Sequence, residues 1–216
     1  MVTIHYFYDP MCGWCYGATP LVELIASSSK YQLVMHSGGM LPAKLIAPSF
    51  RQHILNSDRR ISEQTNAQFG QDYIERVADN EQLVLDSYLP TRAILVGESL
   101  GLDPFDMLKA IQKAHYIEGK AVNTLSSLEE LAVQLGLDQQ LWREKMQTGE
   151  PLEDAEIDIS HQMMTRLGVQ GYPTLMIEDN GEFKRLPHTV VLWPNRAMED
   201  IIRNLTKRDL ALTDSV

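Results

Sequence analysis

The stretch VTIHYFYDPMCGWC, residues 2–15, joins an apolar run to the only two cysteines of the chain, Cys12 and Cys15. The β-branched and aromatic run is typical of a buried strand, and Asp9-Pro10 is typical of the turn that ends one. From Cys12 the pattern is helical, with a kink predicted at Pro20 because proline has no N–H to donate. The stretch therefore predicts a strand that delivers Cys12 to the first turn of a helix.

The remaining chain divides into a helical middle and a strand-rich end. Residues 32–36 are predicted as a second strand, and from about residue 43 to residue 166 the periodicity is helical. The segment 172–186 is predicted as a β-hairpin, because Asn180-Gly181 suits a tight primed turn, and a last helix is predicted from about Asn195. This order predicts an α/β domain made of residues 1–42 and 158–216, into which a helical domain of residues 43–157 is inserted.

Two helices of the middle segment have recognisable ends. Pro104 is predicted in the first turn of a helix that runs to about residue 120. Another helix is predicted before Gly136, which stops it, with Ser126 and Glu129 as its capping box. The middle segment is therefore expected to be helical throughout.

The bulk composition limits the partners of the protein. The chain has 216 residues, 44% of them hydrophobic, and a formal net charge of −10 at pH 7. A negative balance without any basic run disfavours nucleic acid and anionic membrane surfaces as partners. The sequence begins without the basic leader and apolar stretch of a signal peptide, and it has no apolar run of membrane-spanning length. We therefore expect a cytoplasmic protein.

The C-x-x-C pair allows three interpretations: a structural staple, a metal clip or a catalytic dithiol. A disulfide that closes so short a loop restrains little of the unfolded chain. A closed zinc site needs about four ligands, and none of the six histidines lies at ligand spacing from another, so no metal site is predicted. His5 and His36, on neighbouring predicted strands, are the histidines expected nearest to the thiols. Two inert, buried thiols are the remaining alternative.

The position of Cys12 favours the catalytic interpretation. At the start of a helix, unpaired backbone N–H groups and the positive end of the helix dipole stabilise a thiolate, which is the nucleophilic form of cysteine. Cys15 follows one turn later on the same face, so the pair can form and break a disulfide without rearranging the fold. Asp9, three residues before Cys12, is either a proton relay for a buried thiol or the residue that ends the strand.

A strand, a C-x-x-C motif on a kinked helix, a second strand, a helical insertion and a Tyr-Pro-Thr hairpin together resemble the DsbA-like branch of the thioredoxin superfamily. The start DPMCGWC, residues 9–15, is most similar to the signal-less FrnE-like members, and the resemblance extends over about residues 2–206. It implies a thioredoxin-like α/β fold with an inserted all-helical domain. It also implies a thiol–disulfide oxidoreductase or protein disulfide isomerase that needs neither a metal nor an organic cofactor.

The resemblance also implies roles for individual positions. Cys12 matches the solvent-facing nucleophile of the family, and Cys15 matches the buried resolving cysteine. Pro173 matches a cis-proline that faces the disulfide, and Tyr172 matches the residue that lines the groove for an extended substrate peptide.

The dipeptide between the cysteines leaves the direction of catalysis open. Gly13 and Trp14 match the positions that tune the reduction potential in this superfamily. The better-known oxidants of the family have a histidine inside the motif, and thioredoxin has proline at its third position. Because this chain has neither, the sequence does not place the dithiol on the scale of reduction potentials.

The leading prediction is thiol–disulfide exchange through a mixed disulfide with a protein or a small-molecule thiol, with glutathione or thioredoxin as a reducing partner. One alternative is a glutathione-dependent isomerase or transferase, a chemistry found on the same insert-bearing fold. Those relatives usually have serine at the position of Cys12 and lack the second cysteine. Another alternative is a redox-sensing binding module, whose disulfide changes a partner surface on the helical insertion.

Overall fold

The computed structural model describes residues 2–79, 82–147 and 152–187. Its elements follow in the order β1 (Val2–Tyr8), α1 (Gly13–Gly17), α2 (Thr19–Ala26), β2 (Tyr31–Ser37), β3 (Lys44–Leu45), α3 (Pro48–Thr65), α4 (Gln71–Asp79), β4 (Val84–Leu85), α5 (Tyr88–Ser99), α6 (Pro104–Tyr116), α7 (Leu125–Gln134), α8 (Gln139–Gln147), α9 (Leu152–Leu167), β5 (Thr174–Asp179) and β6 (Glu182–Arg185).

A four-stranded sheet in the order β2-β1-β5-β6 forms the centre of the fold. Strand β1 pairs in parallel with β2 and antiparallel with β5, and β5 continues into a hairpin with β6. Asn180 and Gly181 at the hairpin turn have φ angles of 51° and 81°, as a primed turn requires. The helices α3–α9 all lie between β2 and β5 in sequence, so the predicted α/β fold with a helical insertion is confirmed. The helix predicted from Asn195 lies outside the described residues.

The expectation of an all-helical insertion is wrong in one detail. Strands β3 and β4 form a two-residue antiparallel ladder, which belongs to a separate sheet and does not pair with the central one. Leu83 and Leu85 are buried beside Ile46, and an apolar alternation this short is too brief to indicate a strand in the sequence. Helix α9 runs without a break across the boundary predicted between residues 157 and 158, so the domain limits stay a prediction.

The helix ends follow local chemistry, with one correction. The kink predicted at Pro20 is a full break, because α1 ends at Gly17 and Pro20 lies in the first turn of α2. The predicted capping box of α7 is wrong: Thr124, rather than Ser126, caps the helix by accepting a hydrogen bond from the N–H of Ser127 at 3.3 Å. Glu129 instead accepts a hydrogen bond from Arg143 of α8, since it lies beyond the first turn.

An aromatic cluster fixes α1 against the insertion. The ring of Tyr16 stacks on that of Tyr116 from α6, with the ring centroids 4.6 Å apart, and packs edge-on against Phe69 at 5.4 Å. Tyr73 of α4 contacts Tyr116 at 5.2 Å, and both tyrosines are almost fully buried. Aromatic pairs of this kind contribute about 0.5–1.5 kcal/mol each beyond the area they bury. The redox motif is therefore held between the central sheet and helices α3, α4 and α6.

Candidate active site

Cys12 lies between the end of β1 and the first residue of α1, as the sequence predicts. It is the N-cap residue of α1, in extended backbone conformation, and its sulfur accepts a hydrogen bond from the N–H of Cys15 at 3.3 Å. Both cysteines are free thiols. The side chain of Cys12 is 6% exposed and that of Cys15 is fully buried. Cys12 is thus the more exposed of the two cysteines and lies at the N–H groups of a helix start.

The loop before β5 approaches Cys12 from the other side. The Tyr172–Pro173 peptide bond is cis, the isomer that the family resemblance implies, and Pro173 is buried. The thiol of Cys12 points to the carbonyl oxygen of Tyr172 at 3.8 Å. The tyrosine ring packs so closely on Gly38 that a β-carbon there would lie 2.2 Å from its Cζ atom, so only glycine fits at position 38 without a shift of the ring.

The surroundings of Cys15 are those of a core residue. Burial is the main cause that raises the pKa of its thiol well above the usual range, followed by the contact with Cys12. Its carbonyl oxygen accepts hydrogen bonds from the hydroxyls of Tyr6 at 3.3 Å and Thr19 at 3.4 Å. Thr19 also contacts Gln112 of α6 at 2.7 Å. These contacts fix the backbone of α1 one turn after the first thiol.

Asp9 is completely buried and accepts three hydrogen bonds. Its Oδ1 atom accepts from the N–H of Met11 and the hydroxyl of Ser87, both at 2.8 Å, and its Oδ2 atom accepts from the N–H of Met40 at 2.6 Å. Burial raises the pKa of this carboxyl group although all three hydrogen bonds oppose the shift. The carboxyl group therefore joins the end of β1 to the loop after β2 and to Ser87 of the insertion, and its role as a proton relay stays a prediction.

A cavity of about 260 Å³ opens beside Cys12, between the redox motif and the insertion. Gly13, Trp14 and Tyr172, three of the predicted substrate-binding residues, line it, whereas Pro173 is not among the described residues that do. The apolar part of its wall is formed by Met11, Met40, Leu41, Phe50, Ile54, Ile61 and Leu85. The arrangement offers a partly apolar binding site directly next to the more exposed thiol.

The polar part of the cavity wall comes from residues that the sequence did not single out. Asp58 of α3 is 6% exposed and accepts a hydrogen bond from the hydroxyl of Tyr73 at 2.8 Å. Burial raises the pKa of this carboxyl group to about 6. Its other oxygen, Oδ1, lies 3.0 Å from the place where a β-carbon on Gly13 would stand. A sequence signal did exist, because Asp58 follows Ile54 and precedes Ile61 on the apolar face of α3.

The histidines are placed differently from the expectation. His5 and His36, expected near the thiols, form a 2.9 Å hydrogen bond with each other, and His5 also contacts Glu178 at 2.9 Å. Neighbouring residues on a strand point to opposite faces of the sheet, so His5 lies on the face opposite Tyr6, the residue that contacts Cys15. His53 and His115 line the cavity instead. Burial lowers the pKa of His115 to about 3, which keeps it neutral.

No group of three or more His, Cys, Asp or Glu side chains within the described ranges is arranged to hold a metal ion. None of the helices in this part of the chain combines the length and the apolar character that crossing a membrane requires.

Comparison with known proteins identifies the family. The sequence profile of the DSBA-like thioredoxin domain matches residues 3–205, while a search of curated protein sequences found no significant match. The structure is similar to that of the cytosolic disulfide reductase DsbM from Pseudomonas aeruginosa, with 32% identity, a TM-score of 0.82, and coverage of 97% of this chain and 99% of that one.

Two further solved structures are similar to this chain. DsbM from the same organism has also been solved with GSH, with 33% identity, a TM-score of 0.81, and coverage of 95% and 98% of the two chains. A structure from Nitrosomonas europaea, 23% identical with a TM-score of 0.79, covers 96% of this chain and 98% of its own, and shares the fold. The chain belongs to the DsbA-like thioredoxin-domain family of thiol–disulfide oxidoreductases.

Proposed function

We propose that this protein reduces disulfides by exchange, with Cys12 as the attacking thiol and Cys15 as the resolving thiol. The thiolate of Cys12 attacks one sulfur of the substrate disulfide, which forms a mixed disulfide and releases the first substrate thiolate. Cys15 then attacks the sulfur of Cys12, which releases the second thiolate and leaves a Cys12–Cys15 disulfide. Two electrons pass from the protein to the substrate, and each released thiolate takes up a proton. The observation that carries the proposal is the N-cap position of Cys12, one turn before a buried thiol.

Glutathione is the proposed reducing partner, and the cytosol is the proposed location. Both rest on the similarity to DsbM, which is described as a cytosolic disulfide reductase and has been solved with GSH. Two glutathione molecules would return the Cys12–Cys15 disulfide to the dithiol and leave as one glutathione disulfide. The substrate disulfide can belong to a protein or to a small molecule, since the cavity beside Cys12 has both an apolar wall and a polar wall.

The alternatives predict different behaviour. A glutathione-dependent isomerase or transferase does not need a resolving thiol, yet this chain has a second thiol, Cys15, whose side chain contacts that of Cys12. A redox-sensing module would change its oxidation state once for each signal without turnover. A protein disulfide isomerase would rearrange the disulfides of a scrambled protein without net reduction.

Reduction of insulin with glutathione as the electron donor tests the proposal. The wild-type protein should accelerate the precipitation of insulin chains over many turnovers, and Cys12→Ser should give the rate of glutathione alone. A wild-type rate equal to that of glutathione alone would overturn the proposal. Recovery of activity from scrambled ribonuclease, without accelerated insulin reduction, would assign the protein to the isomerases instead.

A further inference from the structure

The cavity beside Cys12 has an unusual charge pattern. Asp58 is its only carboxylate, and neither lysine nor arginine lines it within the part of the chain that the structure describes. The whole chain carries a formal net charge of −10. A cavity lined in this way favours ligand groups that carry a positive charge, because no cationic side chain on its wall offsets the carboxylate of Asp58. Arg59 lines a separate cavity, which Asp58 also borders.

Asp58 is positioned to contact a ligand that reacts with Cys12. One of its oxygens is held by Tyr73, and the other has no hydrogen-bond partner among the described residues. This second oxygen faces Gly13, the residue that directly follows Cys12. It is not one of the fully buried side-chain atoms that lack a partner, so this oxygen is accessible from the cavity, where a ligand can supply the donor.

We infer that the cavity selects small disulfides that end in a primary ammonium group, with Asp58 binding the ammonium while Cys12 attacks the sulfur. The inference rests on the thiol–disulfide exchange proposed above. With such a disulfide, RS–SR, the thiolate of Cys12 forms a Cys12–S–S–R bond and releases RS⁻. Cys15 then releases the second RS⁻ and leaves the Cys12–Cys15 disulfide. Starting from the reduced protein, this single turnover needs no further reductant.

The selectivity should depend on pH through Asp58. Burial raises the pKa of its carboxyl group to about 6, so it is charged at about pH 7.5 and largely neutral at about pH 5. Burial also raises the pKa values of Tyr73 and Tyr116 and lowers that of His115 to about 3, so these three stay neutral at both pH values. Arg76 of α4, whose Nη1 atom lies 3.5 Å from the Nδ1 atom of His115, stays charged at both pH values because a guanidinium group keeps its proton throughout this range.

Of the other titratable groups on the cavity wall or next to it, only Cys12 and His53 require a control. Burial raises the pKa values of Cys15, Tyr16 and Tyr172, so their charge is the same at both pH values. The ionisation of Cys12 changes the rate with every disulfide alike and cancels in a ratio of rates. His53→Gln, which removes an imidazole from the cavity wall, serves as a control that should keep the pH dependence of the ratio.

Three disulfides of similar length provide the test: cystamine, neutral bis(2-hydroxyethyl) disulfide and anionic 3,3′-dithiodipropionate. The reduced protein is mixed with each disulfide, quenched with acid and alkylated, and each rate is divided by that of dithiothreitol with the same disulfide. At about pH 7.5 we expect cystamine to be favoured over the neutral disulfide by about tenfold, as one charge-assisted hydrogen bond allows. We expect the anionic disulfide to react most slowly, and the preference for cystamine to fall towards one at about pH 5.

Asp58→Asn should remove most of the preference for cystamine at about pH 7.5. Glu63→Gln, an exposed position on the same helix, makes the same change in net charge and should keep it. An unchanged preference in Asp58→Asn, or an equal loss in Glu63→Gln, would overturn the inference. If Asp58→Asn does not fold, the wild-type preference at the two pH values decides the question. A protein that reacts with none of the disulfides faster than dithiothreitol does would instead overturn the proposed exchange itself.

Discussion

The redox motif has a core side, which packs into the protein, and a cavity side, which faces the cavity beside Cys12. Buried polar groups on these two sides differ in how many hydrogen bonds they accept. On the core side, Asp9 accepts three hydrogen bonds that occupy both of its oxygens, and the carbonyl of Cys15 accepts two. On the cavity side, Asp58 accepts one hydrogen bond from Tyr73 and presents its second oxygen beside Gly13. Burial raises the pKa of both carboxyl groups.

The number of hydrogen bonds that a buried carboxyl group accepts indicates whether it stabilises the fold or is available to a ligand. A buried carboxyl group with all its hydrogen bonds made holds neighbouring segments together, and the loss of any donor leaves an unpaired polar atom. A buried carboxyl group with an open oxygen, next to a nucleophile, is available to bind a ligand. We therefore expect changes on the core side to affect stability, and changes on the cavity side to affect reactivity and its pH dependence.

The largest effect expected concerns the two thiols, which lie on opposite sides of this division. Cys12→Ser should lower the exchange rate at least about a thousandfold, because a hydroxyl is not a nucleophile towards a disulfide sulfur near neutral pH. Cys15→Ala should keep the attack but accumulate mixed disulfides that a reductant releases, as read by intact mass. Adducts trapped by Cys12→Ser, or normal turnover by Cys15→Ala, would show that the roles are assigned wrongly.

Asp9→Asn should lower the free energy of unfolding by about 2–3 kcal/mol, because the amide replaces one acceptor oxygen by an NH₂ group that meets an N–H or O–H donor. Urea denaturation at about pH 7.5 measures the change. A stability equal to that of the wild type would mean that the three donors contribute little and that Asp9 is retained for another role, such as proton transfer.

Asp58→Asn should change the stability in the opposite direction from Asp9→Asn and raise the free energy of unfolding by about 1–2 kcal/mol at about pH 7.5. The folded state raises the pKa of this carboxyl group from 3.8 to about 6, so the wild type loses stability as the pH rises from about 3.8 to about 6 and keeps that loss at higher pH. Below pH 3.8 the carboxyl group is protonated in both the folded and the unfolded state, and the variant and the wild type should have the same free energy of unfolding. Urea denaturation at about pH 7.5 and below pH 3.8 tests this, and a variant less stable than the wild type at about pH 7.5 would contradict it.

The smallest effect is expected at Tyr172, where the cavity meets the core. Its hydroxyl contacts the carbonyl of Gly38 at 3.2 Å and the sulfur of Met164 at 3.1 Å. Tyr172→Phe should therefore lower the free energy of unfolding by about 0.5–1.5 kcal/mol, as measured by urea denaturation. If the variant instead keeps its stability and exchanges disulfides more slowly, the hydroxyl acts on the substrate and belongs to the cavity side.

Much of the fold could be predicted because its signals are local. The β-branched and aromatic run of β1, the helix interruption near Pro20 and the turn at Asn180-Gly181 depend on residues a few positions apart, and the structure has all three, although the kink predicted at Pro20 is a break. The same local rules mislead where two candidates compete, as at the cap of α7, where Thr124 takes the place predicted for Ser126. They also miss the ladder of β3 and β4, since two residues are too few to establish a period.

The sequence by itself determined the position of the proposed reacting pair: Cys12 at a helix start with Cys15 one turn later follows from spacing and from the strand before it. Only the tertiary structure decided what surrounds that pair. Asp58 reaches Gly13 because the aromatic cluster packs α1 against the insertion, whereas Asp9, although adjacent in sequence, is tied into the core by Ser87 and Met40. Spacing along a chain determines geometry within one turn or one strand. The neighbours of a side chain across the fold depend on which faces are buried together, and no short stretch of sequence contains that information.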